Sequence, residues 1–422
     1  MENYKLLPDE QSELYKRFYV KLPLEQFGEE LLGGREDPKE AGSLLAMSKQ
    51  MRDNLGIKFD LLFGSSTHVI ENENGFVKVI DVGMLTEEDL ARKMYRNKEN
   101  RLVAFIHAHT KKLVLIDVPD GKTADISILF ANSDRPFATQ IIIRTGRESK
   151  LSLFEWFGSK TTRKSLNSAL HEATIGRHST AEINIVHNED ERTYVVGFSK
   201  ARILERGYLK LNYVYNGGIG SRTKNEINAE EYQAKDEVIE LVLGSSEQQF
   251  DINTIITNGE RETVADLESK AALMDESMCL LKGFASLLDN AKGARSFVNE
   301  RGILLDKDCH MDSLPGMSIN NSDVKATHSS ATAPVDEDAL FYLMSRGADE
   351  TAARRLVVAG FFASTISRIE NEKMKEAVSA LMHDKINNGC FGVIPKLDMH
   401  NIWYTPAQSP GMFQGHYKYR NE

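Results

Sequence analysis

Short runs of apolar and β-branched residues alternate with turn residues through the middle of the chain. From Arg101 onwards the runs are LVAFIHA, KLVLIDV, DISILFA, ATQIIIR, KLSLFEWF, AEINIVH, TYVVGF, YLKLNYVY, DEVIELVL, FDINTII and SMCLLKGFASLL. Each run is typical of a strand, and turns are indicated at Pro119–Gly121, Gly217–Gly218 and Asn258–Gly259. No intervening helix is long enough for a strand–helix–strand unit, so the pattern predicts an all-β body, either a sandwich or a β-solenoid.

The residues before this body have a different pattern. Residues 8–54 alternate acidic and apolar positions in a way that suits short helices, and Thr86 with Asp89 offers a capping box for a helix that reaches about Asn97. Strand-like runs lie between them, from Lys58 to Val82. We therefore expect an N-terminal α/β region at residues 1–100 and a β core at residues 101–335.

The stretch from residue 323 to residue 369 has the sharpest local signals. Asp323–Thr327 reads as a short extended piece, followed by His328 and a Ser/Ala/Thr/Pro turn. Asp336 is a good N-cap because its carboxylate can accept an unpaired backbone N–H, and Arg346–Gly347 is typical of a helix end. The pattern predicts one short helix between these two signals.

A second helix is predicted directly after the first. Asp349 and Glu350 suit its positive end, and its apolar stripe consists of Val358, Phe362, Ile366 and Ile369. Arg354, Arg355, Ser364 and Arg368 fall mostly off this stripe, which predicts a surface helix with one apolar face. We expect a C-terminal helical segment at residues 336–385 and an irregular tail, rich in Gly, Pro and Asn, at residues 386–422.

The strings THSSAT, VDEDALFYL and SRGADETAARRLVVAGF, in this order, resemble the C-terminal signature of the SufB/SufD family. Proteins of this family are scaffold subunits of the Suf iron–sulfur cluster assembly system. The resemblance implies a right-handed parallel β-helix for the central body, although no short repeat in the sequence indicates one by itself. It also implies a scaffold and not an enzyme, and a complex with a second scaffold subunit.

The same resemblance implies an ABC-type ATPase, SufC, as a partner. The helical segment would dock it, with Leu340, Phe341, Tyr342, Arg346 and Gly347 as contact residues; aromatic and Arg side chains are common interface anchors. From composition alone, the alternative is that the apolar residues Leu340 and Phe341 only cover the end of the β body. The string GGIGSRTK at Gly217–Lys224 lacks phosphate-loop spacing and is interpreted as a turn, so no nucleotide is expected on this chain.

His328 occupies the position of the family's His at the junction of two scaffold subunits. Neutral imidazole is a good iron ligand, and the cargo would be a transient iron–sulfur cluster or iron. In the SufB-type pattern the essential Cys falls at Glu300, which cannot form a persulfide, and Ser329 replaces the Glu that follows the His. These departures make the chain more similar to SufD than to SufB. The partner scaffold would be a SufB-type subunit or a second copy in a dimer.

The three cysteines are too few for a disulfide framework. Cys309, next to His310, is a further candidate ligand, although adjacent residues on a strand point to opposite faces. Cys279 is expected in the core, and Cys390 has no obvious partner.

Two pairs of histidines are also considered. His107 and His109 would share a face of a strand, a geometry that permits a metal pair. His171 and His178 lack the spacing of a zinc protease motif.

Composition narrows the functional classes. The net charge of −10 argues against a nucleic-acid partner, and no apolar run approaches the length of about 18 residues that a membrane span needs. The first residues lack the pattern of a signal peptide, which favours the cytoplasm. Two rivals stay open: a structural adaptor of the same complex without metal chemistry, and a β-solenoid enzyme that acts on polysaccharide.

Overall fold

The computed structural model describes Leu22, Phe27 and residues 39–84, 101–132, 134–389 and 391–395. Its helices are α1 (Glu40–Leu55), α2 (Arg101–His109), α3 (Glu337–Ser345), α4 (Glu350–Ile366) and α5 (Glu372–Asn388), with a 3-10 turn at Val82–Met84. Its strands are β1 (Leu61–Phe63), β2 (His68–Ile70), β3 (Val77–Asp81), β4 (Lys112–Val118), β5 (Thr123–Asn132), β6 (Phe137–Thr145), β7 (Lys150–Ser159), β8 (Ser165–Ile175), β9 (Thr180–Asn188), β10 (Thr193–Ile203), β11 (Tyr208–Tyr215), β12 (Gly220–Ala229), β13 (Lys235–Gly244), β14 (Gln249–Asn258), β15 (Val264–Leu273), β16 (Met278–Leu287), β17 (Arg295–Leu304), β18 (His310–Ser313), β19 (Gly316–Ile319) and β20 (Lys325–Pro334).

Consecutive strands alternate between two sheets. Sheet A has the order β2-β1-β5-β7-β9-β11-β13-β15-β17-β20, and sheet B has the order β18-β16-β14-β12-β10-β8-β6-β4-β3, with β19 also paired to β16. Every pair from β5 to β20 in sheet A and from β4 to β18 in sheet B is parallel. This winding confirms the parallel β-solenoid and excludes the sandwich.

Alternate residues of each strand point into the lumen, the interior space between the two sheets. In sheet A one column of buried lumen residues follows the register from strand to strand: Ile126, Leu153, Ile183, Leu211, Val238, Leu267 and Val298. A neighbouring column stacks Phe130 on Phe157 with ring centroids 4.6 Å apart, Phe157 on His187 at 4.9 Å, and His187 on Tyr215 at 5.6 Å. Each coil therefore buries its apolar side chains against the next coil.

The lumen also holds paired polar side chains. His171 Nε2 lies 2.8 Å from Glu155 Oε2. Glu240 accepts hydrogen bonds from Asn225 at 3.1 Å and from Ser269 at 2.6 Å. Hydrogen bonding of this kind offsets the cost of burying polar groups. Polar lumen residues also explain why the apolar pattern missed strands such as β8, β12 and β15, which carry His171, Asn225 and Ser269.

The predicted turns lie where strands end. Gly121 and Gly218 take positive φ values of 67° and 77°, and Asn258 is the last residue of β14. The interpretation of Gly217–Lys224 as a turn is wrong beyond its first residues, because β12 begins at Gly220. Its residues are held by parallel pairing to β10 and β14, which the local sequence does not reveal.

Helix α1 confirms one of the predicted N-terminal helices. It contributes Leu44, Met51 and Leu55 to an apolar cluster with the outward-facing residues of sheet A. It ends at Gly56, which has a φ of 67°. The predicted helix from Thr86 to about Asn97 lies outside the described residues.

The predicted strand LVAFIHA is wrong, because these residues form helix α2. Leu102, Phe105 and Ile106 pack with Leu166 and Phe198 against the outer face of sheet B. The apolar run has helical spacing as well as strand propensity, and packing on an already formed sheet decides between them.

The C-terminal helices begin where their caps predict. Asp336 accepts hydrogen bonds from the backbone N–H groups of Asp338 and Ala339, and Asp349 accepts one from Ala352. The predicted apolar stripe is confirmed, since Val358, Phe362 and Ile366 of α4 and Ile369 just after it are buried with outward-facing residues of sheet A. Within the described part of the chain, no helix combines the length and the apolar character needed to cross a membrane.

Candidate functional site at the last coil

The solenoid ends differently on its two sides. At the N-terminal side, β2 pairs antiparallel with β1 and β3 pairs antiparallel with β4, so these two strands cover the end of the parallel coils. At the other side sheet A ends with β20, which pairs with β17 and, among the described residues, with no strand beyond. All residues of β20 except Ala326 are exposed. An exposed row of backbone N–H and C=O groups is a template for pairing with another chain.

His328 lies in the middle of this edge strand. The predicted turn after it is wrong: strand β20 continues to Pro334 because its residues pair in register with β17. His328 stands opposite Val298, and Val298 stands opposite Leu267, both of which are buried lumen residues. The imidazole therefore continues a lumen-facing column at its exposed end.

Glu300 lies one strand deeper and is fully buried. It stands opposite Ser330 of β20. Ser330 Oγ donates to Ser313 Oγ at 2.7 Å, and Ser313 Oγ donates in turn to Glu300 Oε2. A Cβ at Gly283 would lie 2.6 Å from Glu300 Oε1, so glycine makes room for the carboxyl group. The side chain of Glu300 is thus enclosed inside the last coil.

Burial raises the pKa of Glu300 to about 7, although the hydrogen bond from Ser313 lowers it. The group can therefore be either neutral or ionised at neutral pH. With a strand spacing of about 4.8 Å and a rise of about 3.3 Å per residue, the Cα atoms of Glu300 and His328 are roughly 8 Å apart. These two candidates are neighbours, one buried and one exposed.

Cys309 is not on the edge strand. It is buried, and its Sγ donates to the backbone oxygens of Asp306 at 3.0 Å and Leu273 at 3.3 Å. Burial raises the pKa of the thiol, which favours the protonated form that binds metals poorly. The side chain of His310 is exposed beside Asp312, with 3.2 Å between Nε2 and Oδ1.

The other cysteines add no ligand to this end. Cys279 is buried in the lumen opposite Met311, as expected, and burial raises its pKa well above the ordinary value. Cys390 lies outside the described residues. Within residues 39–84, 101–132, 134–389 and 391–395, no cluster of three or more His, Cys, Asp or Glu side chains could hold a metal ion.

The histidines of the IHAHT string are on helix α2, so the expectation that they share a strand face is wrong. His107 Nδ1 lies 2.8 Å from Gln140 Nε2, and His109 Nδ1 lies 2.7 Å from the backbone oxygen of Phe105. Residues two apart on a helix do not face each other. Burial lowers the pKa of His109.

Helix α3 follows β20 directly and is largely exposed. Phe341 is 73 % exposed, Tyr342 57 % and Met344 43 %, while Leu340 is buried. The Arg346 guanidinium lies 5.2 Å from the centre of the Tyr342 ring, and Gly347 has a φ of 99°. Large exposed apolar side chains on one short helix indicate an interaction surface.

The sequence places Arg368 off the apolar stripe, but in the structure it lies two residues after α4 and points towards the solenoid. Its guanidinium contacts Glu237, Asp266 and Glu268 on the outer face of sheet A. Arg354 likewise reaches Asp306 at 3.0 Å. A helical wheel separates apolar from polar residues and cannot show that the facing sheet carries carboxylates.

Comparison with known proteins shows that more than half of the chain matches the model of one protein family. A sequence model described as "SUF system FeS cluster assembly, SufBD core domain" matches residues 129–361. The match begins in β5 and ends within α4, so it includes the last coil, β20 and α3.

Curated relatives have the same description. An iron–sulfur cluster assembly SufBD family protein of Mycobacterium tuberculosis is 28% identical over 200 residues, which is 47% of this chain and 23% of that protein. A second one from the same organism is 28% identical over 158 residues, 36% of this chain and 40% of that protein. One from Pyrococcus horikoshii is 24% identical over 297 residues, 67% of this chain and 64% of that protein. The matched stretch thus spans less than two thirds of each relative.

Proposed function

Because the chain belongs to the SufBD family of iron–sulfur cluster assembly proteins, we propose that it is a scaffold subunit on which a cluster or its iron is held transiently. The observation that carries the proposal is the edge strand β20, which presents His328 within the matched region. An exposed imidazole at an unpaired strand edge can be joined by ligands from a second chain.

Glu300 and Cys309 have lesser roles in this proposal. The carboxyl group of Glu300 is buried beneath Ser330, so it would reach iron only if β20 shifts. The thiol of Cys309 donates to two backbone oxygens and would have to leave both. His328 is therefore the ligand that this chain offers first, and the remaining ligands would come from its partner.

We propose two kinds of partner. An ABC-type ATPase of the SufC kind would bind helix α3 through Phe341 and Tyr342, with Leu340, Arg346 and Gly347 shaping the helix and its end. A second scaffold subunit, either a SufB-type chain or a second copy, would cover β20. Glu300 in place of Cys favours a SufD-like role beside a Cys-bearing partner.

The hypothesised mechanism is indirect. ATP-driven closure of the partner would pull on α3, shift β20, and open His328 and the partner's ligands to iron and sulfide. The chain would bind no nucleotide itself and would work in the cytoplasm as a scaffold and not as an enzyme. The scaffold character of the family supports this reading over that of a polysaccharide enzyme.

A second candidate is an adaptor of the same complex without metal chemistry. It is favoured by the burial of both described cysteines, Cys279 and Cys309. Two variants distinguish the candidates. His328→Ala removes the exposed ligand, and Phe341→Ala removes the exposed ring on α3.

Anaerobic reconstitution with Fe³⁺, a thiol reductant and sulfide, with the partners present, is the test. For the scaffold we expect His328→Ala to lower the yield of cluster several-fold, with His310→Ala, an exposed His outside β20, as the control. Unchanged cluster yield in His328→Ala, together with lost ATPase binding in Phe341→Ala, would favour the adaptor.

A further inference from the structure

Helices α4 and α5 are attached to the solenoid by ionic contacts with the outer face of sheet A. Arg368 Nε lies 3.0 Å from Glu237 Oε1, its Nη2 lies 3.1 Å from Asp266 Oδ2, and its Nη1 contacts Glu268. These carboxylates come from two neighbouring strands, β13 and β15. Burial alone would lower the pKa of Arg368, but the three carboxylates raise it overall.

Side chains of the sheet also hold α4 and the residues between α4 and α5. Lys270 Nζ donates to the backbone oxygen of Phe361 at 2.8 Å and to Ser364 Oγ at 3.1 Å. Lys210 Nζ donates to the backbone oxygen of Arg368, and Thr365 Oγ1 donates to Glu268 at 2.9 Å. The side chains of Lys210 and Lys270 are only 6 % and 5 % exposed. We call Arg368 with Glu237, Asp266 and Glu268 the Arg368 cluster.

Helix α5 is fixed at both of its ends. The backbone N–H groups of Glu370 and Asn371 donate to Glu182 Oε1 at 3.1 and 3.2 Å. At the other end Lys385 is fully buried, and its Nζ donates to the backbone oxygens of Asn216 and Leu243. The two helices therefore contact the sheet along most of their length.

The preceding segment, residues 325–347, is attached on one side: β20 pairs with β17 along all ten of its residues but has no strand on its outer edge among the described residues. Strand β20 is held by its pairing with β17 and by side-chain hydrogen bonds of Ser329 and Ser330 to Asn299 and Ser313. In helix α3, Leu340 is the buried residue. This segment, attached on one side, is thus continuous from the edge strand into α3 and ends where helices α4 and α5 begin.

We propose that the Arg368 cluster is a fixed anchor, so that a displacement of α3 is passed to strand β20 and is not absorbed by α4 and α5. The anchor explains how a partner bound to α3 could act on His328, which lies on the same segment of the chain. Only this use of the anchor rests on the proposed function. The anchor itself is a property of the unpartnered chain.

Hydrogen exchange of the full chain, followed by mass spectrometry, tests the anchor. We expect slow exchange of the amides in α4 and α5 and faster exchange in β20 and α3, because local opening is easiest where buried contacts are fewest. Arg368→Gln should raise exchange in α4 about tenfold or more, because it removes the cation that Glu237, Asp266 and Glu268 share. Lys210 and Lys270 remain 3.8 and 3.6 Å from Glu237 and Glu268. The matched control is Arg202→Gln, which removes the exposed partner of Glu230 on sheet B.

Arg368→Lys distinguishes loss of the anchor from a general loss of folding. Lysine keeps the charge but cannot bridge three carboxylates with a planar fork, so we expect exchange in α4 between that of the parent and that of Arg368→Gln. Equal exchange in Arg368→Gln and Arg202→Gln would overturn the anchor. Parent exchange in α4 as fast as in β20 would overturn it too.

A second measurement adds the ABC-type ATPase from the same cells. With the anchor intact, we expect binding to change exchange in α3 and β20 and to leave α4 and α5 unchanged, whereas in Arg368→Gln the change spreads into α4. A change in α4 of the parent would overturn the inference. If the ATPase does not bind, the proposed docking fails, and the exchange of the unpartnered chain still decides on the anchor.

Discussion

At Glu300 the last coil buries a carboxyl group that is neutral or charged depending on pH. Burial raises its pKa from the ordinary 4.5 to about 7. Folding therefore takes up a proton between these pH values, and the free energy of unfolding should fall as the pH rises through this window and level off above it. The difference between the two pKa values corresponds to about 3 kcal/mol.

Glu300→Gln should remove this pH dependence, because glutamine keeps the shape and stays neutral. Urea unfolding between pH 5 and pH 8 measures it. We expect the stability of the parent relative to Glu300→Gln to fall by about 2 to 3 kcal/mol over this range. Glu247→Gln, at an exposed position, is the control and should follow the parent. Parallel curves for the parent and Glu300→Gln would contradict the burial argument.

Individual residues also show what the sequence can and cannot predict. The caps at Asp336 and Asp349 were predictable because a side chain and its partner N–H lie within three residues. The environment of Glu300 was not predictable, because Gly283 and Ser313 reach it from strands β16 and β18. The same holds for Arg368 and its three carboxylates.

Among the elements, those stabilised locally were predicted best. Helices α3 and α4 follow their caps, whereas the sequence predicts a turn for the part of β20 after His328, because Ser, Ala and Thr give no strong local signal. Its strand conformation comes from its pairing with β17. For the residues of helix α2 the sequence predicts a strand, because their β-branched and aromatic side chains also suit a sheet.

Helix α3 is the element through which we expect binding. Phe341→Ala and Tyr342→Ala should each weaken binding of the ATPase about tenfold or more, because exposed aromatic anchors dominate such interfaces. Their effect on the free energy of unfolding should stay within about 0.5 kcal/mol, since both rings are exposed.

Titration of the ATPase against each variant, together with urea unfolding, measures both effects. Leu45→Ala, which shortens an exposed apolar side chain on α1, is the control and should bind normally. Binding unchanged in both aromatic variants would refute α3 as the docking element.

On the scale of the whole molecule, the solenoid has one side suited to association. Strand β20 is exposed and, among the described residues, has no strand on its outer edge, while antiparallel strands close the other side. Thr327→Lys places a charge on the edge strand, and lysine on an edge opposes strand pairing. We expect less association with the second scaffold subunit, or with a second copy, and unchanged stability.

Sedimentation of Thr327→Lys and of the control Thr257→Lys measures this association. Thr257 lies on β14, which is paired on both sides, so its variant should associate like the parent. Equal association of Thr327→Lys and the parent would remove β20 from the interface.

We propose that this SufBD family chain works as a scaffold beside an ATPase and a second scaffold subunit. Anaerobic purification of the tagged chain from its native cells, with the visible spectrum recorded and the bound proteins identified, tests it most directly. We expect an ABC-type ATPase and a Cys-bearing scaffold chain, with the ATPase lost in Phe341→Ala. A preparation that contains no ATPase and no second scaffold chain would contradict this proposed role.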